Sequence, residues 1–160
     1  MADNYTALST GISVFNIDAT EKLLNELKRQ IESRRDDDDW KKPDWVTVDE
    51  PCFIEDAFSN VEIVRNHAAE PFLWIHADEA VDFEAVGDIL RRLIMEEPDD
   101  EIIWQIPYAS TCSKPRIGEF GGGTPLVTKT AVSVWSAESI VDQIQRVLGK
   151  DSLMELLSLD

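Results

Sequence analysis

Basic residues are scarce in this chain. Lys and Arg number 15 against 32 Asp and Glu, a formal net charge of −17 and an isoelectric point near 4.3. Phosphate backbones and anionic lipid surfaces repel such a chain, so direct nucleic-acid binding and membrane-surface binding are not expected. A basic partner is favoured. The same composition also suits a charged surface that only confers solubility, or adaptation to high salt.

Cysteine is nearly absent. Cys52 and Cys112 are the only two, too few for a disulfide framework. The two histidines, His67 and His76, stand nine positions apart and share no metal-ligand spacing with the cysteines. The run Asp36, Asp37, Asp38, Asp39 lacks the glycine and terminal glutamate of a calcium loop. No metal and no cofactor are therefore expected. No apolar run approaches the roughly 18 residues that a membrane helix needs. The opening MADNYTALSTG has neither the charged nor the apolar region of a signal peptide. The expected location is cytoplasmic.

What is present suffices for one domain. The chain has 160 residues, of which 43% are hydrophobic, and five tryptophans. Residues 5–15 have the β-forming character of a strand. Residues 16–35 follow as a helix with Leu23, Leu24, Leu27 and Ile31 on one face and Asp18 with Glu21 as a capping pair. Residues 36–51 form an acidic inserted loop, punctuated by Pro43 and Pro51. A short strand is expected at 52–58 or at 61–64, and a stronger one at 71–79. A second helix covers 83–97 with Asp82 as its N-cap and Pro98 as its stop. Strands are expected at 101–111 and 125–135, a third helix from Ser136 to Gly149, and a short last helix at 152–157. The order β-α-β-β-α-β predicts an α+β fold of ferredoxin-like type. It has an antiparallel sheet with helices on one face, extended by a C-terminal βα unit.

Charge is uneven along the chain. Residues 36–101 hold 21 acidic and 5 basic side chains, a net −16, whereas residues 109–135 carry a net +2. A surface of this acidic density can take the place of a phosphate backbone on a basic channel. Asp36, Asp37, Asp38, Asp39, Asp44, Asp49 and Glu50 would form the contact, with Trp40 and Trp45 as anchors. Alternatively, the carboxylates simply solvate the loop, and the two indoles pin it to the body.

Residues 111–123, TCSKPRIGEFGGG, contain four of the seven glycines. Lys114 and Arg116 have the chemistry to hold an anion, and backbone N–H groups of Gly121, Gly122 and Gly123 can add to it. No phosphate-loop pattern is present, and the glycines precede a strand rather than a helix. The competing reading is a hairpin connection with glycines at positive φ. Cys112, activated by Lys114, Arg116 or His76, is a third possibility, but no Cys-His signature surrounds it. His76 also suits a structural role on its strand.

With NYTALS near the start and FLWIHADE before the second helix, TCSKPRIGEFGGG resembles a loop in a group of small, acidic, uncharacterised bacterial and phage proteins. The likeness covers most of the chain and departs at Leu8, where the group has phenylalanine. It implies a ferredoxin-like domain and a mobile-element setting, and it assigns no activity. The expectation from residues and resemblance together is a non-enzymatic inhibitor that mimics DNA against a basic, nucleic-acid-binding host defence complex of the CRISPR kind. The alternative is a small-ligand or regulatory domain built on Cys112, Lys114, Arg116 and the glycines.

Overall fold

The computed structural model describes residues 4–34, 40–65, 70–78, 80–112 and 121–133. The architecture is α+β, with three α-helices and antiparallel sheets among the described residues. The larger sheet holds β1 (Asn4–Ile12), β2 (Val61–Val64), β3 (Phe72–Ala77), β5 (Tyr108–Cys112) and β6 (Gly121–Gly123). Their spatial order is β2-β3-β1-β5-β6. The smaller sheet is β4 (Trp104–Gln105), β7 (Leu126–Val127) and β8 (Val132–Ser133).

Alternation decides which face of the large sheet is inside. Along β3, Leu73, Ile75 and Ala77 are buried while Phe72, Trp74 and His76 point the other way. The register pairs Leu8 with Ala77 and Ile12 with Leu73, so β1 buries the same face. The buried residues of α1 (Ile17–Glu32), α2 (Pro51–Ala57) and α3 (Phe83–Leu93) join this face in one core. On the opposite face the Phe72 ring lies over Gly11, where an added Cβ would meet it at 3.0 Å. Trp74 stacks on His76 at 3.9 Å and donates to Ser9 Oγ.

The helices follow their local signals. Asn16 caps α1, accepting from Ala19 N at 3.1 Å. Asp18 and Glu21, the expected capping pair, instead receive the Arg65 guanidinium at 2.6 Å each. Leu24, Leu27 and Ile31 are buried as the spacing predicts, and Leu23 only partly. Asp82 caps α3 through Glu84 N and Ala85 N. A 3-10 turn, Ile94–Glu96, then finishes the helical stretch.

Residues 85–90 of α3 are all buried. At 100° per residue, six successive positions sweep the whole circumference. Thus α3 is enclosed rather than one-sided. An added Cβ at Gly87 would meet Val132 of β8 at 3.0 Å, so the small sheet packs on α3 at Gly87.

Three expectations need correction. Of the two placements expected for the short strand, Val61–Val64 is the strand, and residues 52–58 are instead α2 and the start of a 3-10 turn. Pro51 opens α2 at a position where its missing N–H costs nothing, and Ile54, Ala57 and Phe58 are buried at helical spacing. The strand expected at 101–111 is broken into β4 and β5 around Ile106 and Pro107, where the chain passes from the small sheet to the large one. Proline has no N–H for a continuous ladder. The strand expected at 125–135 is a hairpin, β7 and β8, closed by Thr128 N donating to Ala131 O at 2.9 Å. The helices expected beyond Ser136 lie outside the described residues. No helix among the described residues is long and apolar enough to cross a membrane.

Candidate partner-binding surface

Residues 40–50 are a strap laid along the helical side of the core. Val46 and Val48 are buried, and Trp40 and Trp45 pack partly buried against the core. Trp45 Nε1 donates to Gln30 Oε1 at 3.2 Å, and Arg34 Nη1 donates to Lys41 O at 2.7 Å. The firmest tie is Asp88 of α3, whose Oδ2 accepts from Thr47 N at 2.6 Å and from Thr47 Oγ1 at 2.9 Å. Burial raises the Asp88 pKa, against the lowering effect of the Thr47 hydrogen bonds and the Arg91 charge. Trp40 and Trp45 therefore sit in the pinning arrangement rather than as free anchors.

The strap leaves its acids outside. Asp44, Asp49 and Glu50 are exposed. Asp49 is held by Lys42 Nζ at 2.8 Å, a hydrogen bond and charge that lower its pKa. Asp36, Asp37, Asp38 and Asp39 lie outside the described residues.

Just past the strap, α2 and the N-terminus of α3 border an open groove of about 510 Å³. Phe53, Val81 and Phe83 give it an apolar lining, and Asp56 and Asp82 are its charged residues. Phe53 is 44% exposed, because it lies off the stripe of α2 that carries Ile54 and Ala57 inward. Phe83 is held from behind by Tyr108, with ring centroids 4.5 Å apart. Asn60 Nδ2 is tied to His76 O at 2.8 Å, so that wall is fixed as well. Exposed Asp78 and Glu84 flank the lining residues in sequence. Sequence reasoning missed Phe53, because it left the short strand open between 52–58 and 61–64 and assigned no helix whose face Phe53 could leave.

The glycine segment is partly described. Thr111 and Cys112 end β5, and Gly121, Gly122 and Gly123 form β6, paired as Tyr108 with Gly123 and Ser110 with Gly121. A Cβ at Gly122 would come within 2.5 Å of Tyr108 O, so glycine is needed there for close strand approach. Neither Gly121 nor Gly122 has a left-handed φ. Lys114, Arg116 and the Cys112 side chain lie outside what is described, as does His67. His76 Nε2 stands 3.6 Å from Glu62 Oε1 beneath the Trp74 ring. Among the described residues no three His, Cys, Asp or Glu side chains are grouped to hold a metal ion.

Comparisons with protein-family models, with curated proteins and with solved structures found no match.

Proposed function

We propose that this protein is a non-enzymatic interaction protein that binds a basic partner, with the Phe53 groove as the centre of the contact. The observation that carries the reading is the lining of that groove: exposed aromatic surface bordered by carboxylates, with no basic side chain among the described residues that line it. An apolar side chain next to a Lys or Arg would bury against Phe53 and Val81 and meet Asp56. Asp49, Glu50, Asp78 and Glu84 extend the acidic surface and speed encounter with a positively charged partner. The target class is a nucleic-acid-binding protein whose phosphate-contacting surface this molecule would occupy, as an inhibitor from a mobile element would do. The order β5-β1-β3-β2, antiparallel throughout, supports a ferredoxin-like reading of the larger sheet. In that reading α2, β4 and β6 are additions.

The test is affinity capture from bacterial lysate with the native chain and a Phe53→Ser, Asp56→Lys double variant. Both side chains are exposed, so folding should survive. The native chain should retain a basic nucleic-acid-binding protein that the variant loses. Equal recovery by both chains would remove the groove from the contact.

A further inference from the structure

A second groove has the opposite chemistry. It measures about 400 Å³, and among the described residues it is lined by Arg91, Arg92 and Lys129, with Trp45 and Met95 as apolar wall and Asp44 as the carboxylate. Three cations meet here in a chain of net charge −17, one of them, Lys129, already paired with Asp100.

Each cation is placed by a different device. Arg91 and Arg92 are successive residues near the C-terminal end of α3. Arg91 lies close enough to Asp88 for its charge to favour the carboxylate form. Lys129 is only 14% exposed and donates to Glu97 O at 2.7 Å and to Asp100 Oδ1 at 2.8 Å, which leaves one of its three N–H donors for the groove. Arg92 is exposed, and among the described residues neither arginine has a carboxylate within ion-pair distance.

Two effects compete over an incoming anion. The molecule as a whole repels it, while the groove attracts it. At physiological ionic strength exposed charges beyond about 8 Å are largely screened. Lys129 is neutralised by Asp100 at 2.8 Å, so the attraction rests on Arg91 and Arg92, and distant acids on the surface weigh little against them. Guanidinium groups offer forked donors suited to phosphate oxygens. Trp45 and Met95 add apolar contact for an organic portion, and Met95 is 51% exposed and open to it.

We infer that the groove between α3, the 40–50 strap and Lys129 is a binding site for a phosphate-bearing small molecule. It is separate from the Phe53 groove and does not depend on the partner reading.

The test is isothermal titration calorimetry on the full chain with two probes, inorganic pyrophosphate and adenosine monophosphate. The expected result is saturable binding of at least one probe, weakened roughly tenfold by Arg92→Ala, as loss of a charge-assisted contact predicts. The Lys114→Ala, Arg116→Ala double variant should bind as the native chain does. Tighter binding of the nucleotide would assign the apolar wall to an organic moiety, and tighter pyrophosphate binding would assign the site to inorganic phosphates. Absence of binding by both probes at millimolar concentration would overturn the inference. So would binding unchanged in Arg92→Ala, or binding lost only in the Lys114, Arg116 variant.

Discussion

Asp88 is a carboxylate on an enclosed helix that ties down the strap, accepting from Thr47 N and Thr47 Oγ1, with the Val48 backbone N–H also favouring its charged form. Asp88→Ala would leave the Thr47 N–H without its partner and should cost about 1–3 kcal/mol in a urea titration. The pH dependence has a definite sign. Burial holds the folded-state pKa above the ordinary 3.8, so the folded chain keeps this proton to higher pH than the unfolded chain does. The Asp88 contribution is therefore fully present below that ordinary value and is lost as pH rises through the folded one. Asp88→Asn keeps an acceptor oxygen and removes the titration. The stability of the native chain relative to Asp88→Asn should fall as pH rises from about 3.5 to 7, and a relative stability that grew with pH would contradict the assignment. Asp82 could be read as a helix cap because it stands just before an apolar-periodic run. Asp88 offers no such signal, since an acid in mid-helix reads as solvent-facing until the strap is seen to cover it.

The elements best foretold were those with long periodic patterns, α1, β3 and α3. The errors fell on short elements, where a few apolar residues suit either period. Residues 52–58 have β-forming character, yet Pro51 and the burial of Ile54 and Ala57 make them helical. The switch between sheets at Ile106 has one local signal, Pro107, but it also uses Ile106 N donating to Pro125 O at 3.0 Å, a tertiary bond the local sequence does not show. The hairpin alternative placed the glycines in the connection, whereas Gly121, Gly122 and Gly123 are a strand, and residues 113–120 lie outside the described residues. Gly122 must let β6 approach Tyr108 O. Gly122→Ala should therefore loosen β6 from β5 and cost roughly 1–3 kcal/mol, as overpacking at a fixed backbone does. Unchanged stability, with unchanged amide hydrogen-exchange protection across β5 and β6, would show that the backbone gives way there. For the candidate site, the acids of the strap were legible from composition. The groove was not, because it needs α2 to be a helix and needs that helix to lie beside the start of α3.

At the level of the whole molecule, charge sets what the protein can approach and local chemistry sets where contact occurs. The net −17 disfavours nucleic acid and favours a basic protein. In the proposed contact the Phe53 groove would add an apolar centre to that attraction, which charge alone would leave without specificity. The Arg91, Arg92 and Lys129 groove is the local exception. The most direct measurement takes the basic protein retained in the capture experiment and asks whether this chain and duplex DNA compete for it. Affinities would be determined at about 50 mM and about 200 mM salt. The account predicts mutually exclusive binding and an affinity for this chain that falls as salt rises. Simultaneous binding of both, with an affinity indifferent to salt, would contradict it.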